Sequence, residues 1–283
     1  FGLSAFSNIE AADVSTKPAN WSRPKEKENA DVTSPPAKNK KNDDSTKKSD
    51  DVSRELNIKT VEAEHASEKA ETEVVKGAKL TGQDLRHLNA YKAFLVNADL
   101  SGARLQSAIL VDADLRKAFA YEAQLQNAIL YRANLNWGYF RRADLSNAVI
   151  TEAKLIMAIF RNAMLDDAYL QWADLRFADL ELASLKLATL NNADLRGTVL
   201  NQAILSGAKL NGADLRANHD LYKTDFTEAI LENAKLQGAD LRYSIGLTWE
   251  QVKDAEMDCK TQLPPTFETE KQKKLKCPSP AKK

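Results

Sequence analysis

The chain has 283 residues, 43% of them hydrophobic, and its 40 lysines and arginines balance its 40 aspartates and glutamates. This composition suffices for a sizeable core, and zero net charge excludes a general electrostatic attraction to nucleic acid or to an anionic membrane. No stretch of the given sequence approaches the ~18 consecutive apolar residues that a membrane-spanning helix needs.

The N-terminal part is polar. Residues 1–52 are rich in Lys, Asp, Asn, Ser and Pro, which predicts a disordered tail, because such a segment buries too little apolar surface to offset its ordering entropy. A start at Phe1 instead of Met indicates processing and suggests export or organelle targeting, with a cytoplasmic location as the alternative. Residues 53–76 contain good helix formers but only a thin apolar stripe, so we expect a short helix or linker there.

From residue 77 the leucines recur at every fifth position. In NADLSGARLQSAILVDADLR, residues 97–116, leucines stand at 100, 105, 110 and 115, each preceded by an alanine two residues earlier. In a helix, residues five apart are displaced by roughly 140°, and in a strand an odd spacing alternates between the faces. A chain that turns a corner every five residues keeps all these leucines inside, and four corners close a square coil. Stacked coils of this kind form a solenoid.

These repeats resemble those of pentapeptide-repeat proteins, whose pattern is A-(D/N)-L-x-x, over residues 77–245. The resemblance implies an all-β solenoid, a right-handed quadrilateral β-helix in which the leucine and the residue two before it point inward. Phe140 and Phe160 take leucine positions as larger core residues, and Ala120 is a smaller one. About eight coils would form a rod roughly 40 Å long.

One interruption breaks the twenty-residue period. The tetrad ADLR at 213–216 returns at 239–242, six residues late, which predicts a six-residue insertion, ANHDLY, at one corner. A one-residue bulge followed by an extra pentapeptide is the alternative. The inserted loop contributes Asn218, His219, Asp220 and Tyr222 as candidate functional residues, although a plain surface loop is the favoured interpretation.

The period also assigns the outward residues to faces. One face carries Asp174, Asp194, Asp214 and Asp240 with an arginine two residues after each, which predicts an exposed ladder of opposite charges with little net stabilisation. The next face carries large apolar residues, and such patches tend to mark interfaces. We therefore predict a partner-binding or self-association surface, hereafter the apolar patch, made of Phe119, Trp137, Tyr139, Met157, Ile159 and Phe177.

The opposite face carries a second, weaker candidate. Its residues are Ile109, Ile129, Val149 and Tyr169, flanked by Tyr131. Branched and aromatic side chains suit strand positions on their own account, so a purely structural role is the favoured interpretation.

The repeats end after Arg242. Residues 246–265 are predicted to form a C-terminal cap with a helix over 249–257, because Thr248 and Gln251 form a capping-box pattern and Trp249 and Val252 can cover the last coil. Pro264 and Pro265 are expected to end regular structure, and residues 266–283 to form a basic flexible tail. Cys259 and Cys277 would pair in an exported protein and stay reduced in the cytosol, and free thiols are the preferred interpretation.

No pattern for catalysis is found. His65, His87 and His219 fall in separate segments, and glycine-rich phosphate loops, zinc spacings and nucleophile motifs are missing, so we predict no enzyme activity, catalytic residue, cofactor or metal. Some pentapeptide-repeat proteins mimic DNA and protect type II topoisomerases such as gyrase, but residues 77–245 hold 19 acidic and 19 basic side chains, which disfavours mimicry of a polyanion. The sequence therefore predicts a scaffold that binds an unidentified protein or self-associates, with no nucleic-acid partner.

Overall fold

The computed structural model describes residues 77–216 and 223–275. The predicted polar tail (1–52), the predicted helix or linker (53–76), the inserted residues Asn218, His219, Asp220 and Tyr222, and residues 276–283 lie outside the described residues.

The repeats form a four-sided β-helix. The residue before each inward leucine position makes a parallel bridge to the residue twenty positions later. Four columns of bridges result, which we number sides 1 to 4 by their first pairs: Lys79 with Asp99, Asp84 with Arg104, Asn89 with Ile109, and Phe94 with Asp114. Within the described residues these strands are single-residue bridges, so most of each side belongs to the corners.

Each corner has the same backbone geometry. At Leu80, for example, the carbonyl oxygen accepts a hydrogen bond from the N–H of Gln83 at 3.1 Å, which closes a four-residue turn. The third residue of the turn has a positive φ at every fifth position from Gly77 to Gly212. A positive φ at this place alone is typical of type II turns, and glycine and asparagine adopt it with the least strain.

The hydrogen bonds of one repeat explain its Asp or Asn. The N–H groups of Asp99, Leu100 and Gly102 donate to carbonyl groups of neighbouring coils at 2.8, 2.6 and 2.8 Å, and that of Ala103 closes the turn at 2.9 Å. Only Ser101 has no backbone acceptor, and its N–H donates to the Asp99 carboxylate at 3.0 Å. Asp114, Asp174, Asp194, Asp214 and Asp240 accept the same bond. The acidic or amide residue before leucine therefore completes the backbone hydrogen bonding of its own repeat.

The core is a column of alanine and leucine side chains. Ala98 and Leu110 are representative, being completely buried. Phe140 and Phe160 are also completely buried, and their rings stack with centroids 5.0 Å apart. Each buried leucine contributes about 1.5–3 kcal/mol, so the stacked repeats are the main source of stability.

The ladder accommodates six additional residues between Asp214 and Asp225. Bridges before this point join residues twenty apart, whereas the next set joins Val199 to Asp225 and Asp214 to Asp240, twenty-six apart, on all four sides. The Thr224 hydroxyl donates to the carbonyl oxygens of Leu195 at 2.9 Å and Leu215 at 3.1 Å. The register therefore agrees with an insertion at one corner and adds no further side.

The C-terminal cap begins with α1, Trp249–Val252. Thr248 and Gln251 form the predicted capping box, Val252 is fully buried, and Trp249 is half-buried with its ring edge-on to Phe267 at 6.2 Å. The Gln251 amide also donates to the carbonyl oxygens of Phe226 at 2.8 Å and Ala229 at 2.9 Å. This side chain therefore satisfies backbone acceptors of the last complete coil while it caps its own helix.

The predicted helix over 249–257 is too long. Helix α1 ends at Val252 because the chain returns to the ladder, where Glu256 pairs with Lys235 on side 3 and Gln262 pairs with Asp240 on side 4. An α-helix through residue 257 would include Glu256 and leave its ladder partner Lys235 unpaired.

The prediction that structure ends at Pro264 and Pro265 is also wrong. A 3-10 helix spans Pro265–Phe267 and continues into α2, Glu268–Leu275. Proline suits the first turn of a helix, where its missing N–H has no partner to lose. Lys271 is buried and donates to the Thr261 carbonyl, and Lys274 donates to the Ala255 carbonyl at 2.9 Å. The described part of the predicted flexible tail therefore packs on the cap.

The preference for free thiols fails for Cys259, which is disulfide-bonded. The sequence contains one other cysteine, Cys277, which lies outside the described residues.

Asp258 connects the cap to the last coil. Its carboxylate accepts hydrogen bonds from the N–H groups of Gly238 and Thr261, both at 2.9 Å, and of Lys260 at 3.1 Å. Burial raises the pKa of the Asp258 carboxyl, but these hydrogen bonds outweigh it and bring the pKa below its ordinary value. A lowered pKa means that the stabilisation is complete above about pH 4 and is lost as the pH falls through the folded-state pKa.

We expect Asp258→Asn to reduce the acid sensitivity of the fold. The amide keeps one acceptor oxygen but does not titrate, so the free energy of unfolding should decrease less between pH 6 and pH 2.5 than in the wild type. Urea unfolding at both pH values measures this, with the exposed Asp254→Asn as the control. An equal decrease in the wild type and Asp258→Asn would contradict the role assigned to this carboxylate.

Candidate functional site

The structure places three residues of the apolar patch in one column. Phe119, Tyr139 and Ile159 are bridge neighbours on side 1 in successive coils. The rings of Phe119 and Tyr139 lie parallel, with centroids 5.0 Å apart and 5° between their planes. Phe119 is 45% exposed, so this stack faces outward.

The other three residues of the patch follow the adjacent corner. Trp137, Met157 and Phe177 occupy the position of positive φ, at 64°, 57° and 59°, between sides 4 and 1. Trp137 is 51% exposed, Met157 is also exposed, and Phe177 is half-buried. The six side chains thus lie along one side of the β-helix and the corner that leads into it.

Folding alone gives a poor account of these residues. In many other repeats, an Asp or Asn at this position accepts a backbone hydrogen bond. Its replacement by Phe119, Tyr139 or Ile159 removes the stabilisation from that bond, about 0.5–1.5 kcal/mol in each case. At the corner, a side chain other than glycine in left-handed conformation costs roughly 1 kcal/mol. The stacking of Phe119 on Tyr139 contributes only about 0.5–1.5 kcal/mol of stabilisation. The exposed rings of Phe119, Trp137 and Tyr139 therefore contribute less to folding than buried side chains do, which favours a role in binding.

The core behind the patch is adapted to it. Gly138 lies between Trp137 and Tyr139 at an inward position that is alanine in most repeats. A Cβ at Gly138 would approach Cε2 of Phe140 to 2.5 Å and the Leu135 carbonyl oxygen to 3.0 Å. Glycine is therefore required here by the ring that fills the core beneath the patch.

Sequence analysis missed other exposed apolar residues. Large apolar side chains occupy the left-handed corner position only between residues 137 and 187 of the described repeats, where half-buried Phe177 joins five exposed side chains. In one coil, all four corners carry an apolar residue at this position: Trp172, Phe177, Leu182 and Leu187. Further exposed apolar residues are Tyr121, at the corner that leaves side 1, and Met164 and Ile230 on side 2. A search of every fifth residue for large apolar types would have found the corner set.

The predicted charge ladder forms on side 4. Arg196 contacts Asp194 of its own repeat at 2.6 Å and Asp214 of the next coil at 3.6 Å, and Arg176 and Arg216 repeat this arrangement. Burial raises the pKa of Asp214, but hydrogen bonds and charge from Arg216 outweigh it, so the pKa lies below its ordinary value. Because these pairs are partly exposed, their contribution to stability is small.

The second candidate face is less exposed than the apolar patch. Ile109, Ile129, Val149 and Tyr169 are neighbours on side 3, with Val149 buried and the others half-buried. Their burial agrees with the structural interpretation of these residues.

Two other functional features are missing from the residues that the structure describes. Residues 77–216 and 223–275 contain no group of three or more His, Cys, Asp or Glu side chains arranged to hold a metal ion. None of the helices in these ranges has the length and apolarity needed to cross a membrane.

Comparison with known proteins identifies the family. A model described as pentapeptide repeats matches eight copies, over residues 75–106, 108–147, 143–181, 183–216 and 217–243. The chain belongs to the pentapeptide-repeat family. Proteins of this family form a right-handed quadrilateral β-helix, and the β-helix described above is therefore of this type.

Several solved structures of pentapeptide-repeat proteins match the chain. HetL, involved in heterocyst differentiation regulation in the cyanobacterium Nostoc sp. strain PCC 7120, is 30% identical, with 69% of this chain and 92% of HetL covered and a TM-score of 0.29. QnrB1, a plasmid-mediated fluoroquinolone resistance protein, is 18% identical, with coverages of 65% and 91% and a TM-score of 0.33. No curated protein matches the chain. Since both TM-scores are low, membership rests on the family model and the repeats themselves.

We predict that Gly138→Ala destabilises the protein by about 1–3 kcal/mol, because the new methyl group overlaps the Phe140 ring. Adding Phe140→Leu, the residue type of most other coils, should remove most of the penalty attributable to Gly138→Ala. Urea unfolding of the wild type, both single variants and the double variant measures this coupling. Additive effects would show that Phe140 does not impose glycine at position 138.

Proposed function

We propose that this pentapeptide-repeat protein is a non-enzymatic scaffold that binds a protein partner through the apolar patch. The observation that carries the proposal is the exposure of Trp137 and of the Phe119–Tyr139 stack at positions where the fold favours polar residues or glycine. Such contiguous apolar surface is characteristic of interfaces. We further propose a rod of about eight coils, each of twenty residues.

The form of the patch supports this function. Trp and Tyr are enriched among the residues that dominate binding energy, and they lose little conformational entropy because they have few rotatable bonds. The N–H and carbonyl groups of Tyr139 bond to the preceding coil, at 2.8 Å to Ala118 and 2.7 Å from Ala120. The adjacent Gly138 and Phe140 bond to Ile159 of the following coil, at 2.9 and 2.7 Å. A surface held in this way is preorganised, which reduces the entropic cost of association.

The combined variant Trp137→Ser and Tyr139→Ser should abolish partner binding or self-association without unfolding the rod, since both side chains point outward. Pull-down from the native source and light scattering after gel filtration measure the two properties. The combined variant Trp172→Ser and Tyr243→Ser is a matched control, because it removes the same residue types from exposed positions outside the patch. Retention of every complex by the Trp137/Tyr139 variant would refute the proposal.

A DNA-mimicking modulator of a type II topoisomerase is the alternative function. The repeats carry as many basic as acidic side chains, and on side 4 each carboxylate lies beside an arginine. A rod without excess negative charge lacks the main feature by which DNA attracts its partners. We therefore expect no change in gyrase supercoiling, with or without a quinolone, at micromolar protein. Protection of gyrase from the quinolone would favour the alternative.

A further inference from the structure

Two cations border the apolar patch without a carboxylate partner among the described residues. Lys117 occupies the corner position one coil before Trp137, and Arg141 lies two residues after Tyr139, at the corner that leaves side 1. Both side chains are exposed, and neither has an ion pair within 4.0 Å inside residues 77–216 and 223–275. The patch therefore presents unneutralised positive charge beside its aromatic rings.

The neighbouring cations are already engaged. Arg142 donates to the hydroxyl of exposed Tyr121 at 2.9 Å and lies 3.3 Å from Glu122. Arg161 contacts Asp179 at 2.5 Å and Glu181 at 2.8 Å. Along side 1 and the two corners that bound it, these pairs leave Lys117 and Arg141 as the charges available to an incoming group.

We propose that the partner segment seated on the patch is an acidic peptide that also carries a large apolar side chain; this inference rests on the proposed function. The apolar side chain packs against Trp137 and the Phe119–Tyr139 stack. Carboxylates beside it accept charge-assisted hydrogen bonds from Lys117 and Arg141, which are stronger than neutral ones. Charge complementarity of this kind also increases the association rate and selects against basic segments.

Two other occupants fit the surface less well. Single-stranded nucleic acid also combines stacking with cations, but it needs a basic groove that follows its backbone, whereas Asp99 and Asp179 flank the three side 1 residues of the patch at either end of the column. A second copy in a two-fold dimer would place the same patch against itself. The unpaired cations would then meet a surface whose nearby carboxylates are already engaged. Glu122 and Glu181 have arginine partners, and Asp99 accepts hydrogen bonds from Thr81 and Ser101.

The test is selection from a phage-displayed library of random dodecapeptides on the immobilised full chain. The selected peptides should be enriched in Asp and Glu near Trp, Phe or Leu. A synthetic copy of the most enriched peptide should bind the combined variant Lys117→Glu and Arg141→Glu at least about tenfold more weakly than the wild type. Lys186→Glu with Lys209→Glu is the charge-matched control on other faces and should leave affinity unchanged.

The outcomes separate this inference from the function on which it rests. If the charge-reversed variant binds the peptide as the wild type does while Trp137→Ser with Tyr139→Ser abolishes binding, the acidic partner is wrong and the apolar interface stands. If the Trp137/Tyr139 variant also binds normally, both fail. Enrichment of basic or neutral peptides, no enrichment at all, or tighter binding of a labelled oligothymidylate than of any peptide would likewise overturn the acidic-peptide proposal.

Discussion

A corner at every fifth residue is the constraint on which the remaining structure depends. Each side of the coil is so short that the chain must adopt positive φ once per repeat, and the next N–H bonds back across the turn. Only then do the leucine and the residue two before it point inward again. The same geometry leaves one N–H per repeat without a backbone acceptor, which explains the Asp or Asn before leucine, as at Asp99 and Asp114. The repeat pattern therefore records a hydrogen-bonding requirement as well as a packing one.

This division separates folding from function along each repeat. Inward positions contribute nearly all the burial, so they accept little besides alanine, leucine and a few phenylalanines. The three outward positions are much freer, and large departures from the pattern there indicate a purpose other than folding. The Phe119–Tyr139 stack gives up polar acceptors for exposed rings, and Trp137 places an indole where glycine or asparagine is least strained. Lys117 and Arg141 add charge beside these rings, so the surface has both an apolar and an electrostatic component.

The C-terminal cap answers a different physical problem, the open end of the solenoid. Backbone acceptors of the last coil need donors, and side chains from the cap supply them: Gln251 bonds to Phe226 and Ala229, and Thr261 bonds to Leu236. Helix α2 adds lysine donors to carbonyl groups of the cap itself. The cap is therefore held by side-chain-to-backbone bonds as well as by burial of Val252. Such bonds depend on three-dimensional placement and leave only a weak trace in the order of residues.

The five-residue period alone was enough to predict the four-sided solenoid, the inward residues, the position of the insertion and the column that contains Phe119, Tyr139 and Ile159, because each follows from counting along a regular repeat. Other features depended on contacts between coils. The parallel packing of Phe119 on Tyr139, the need for Gly138 beneath the patch and the burial of Val149 arise from side chains twenty residues apart or from one ring orientation in the core. The end of α1 at Val252 and the helix that begins at Pro265 were mispredicted because local propensity competes there with the ladder and with packing on the last coil, and tertiary contacts decided the result.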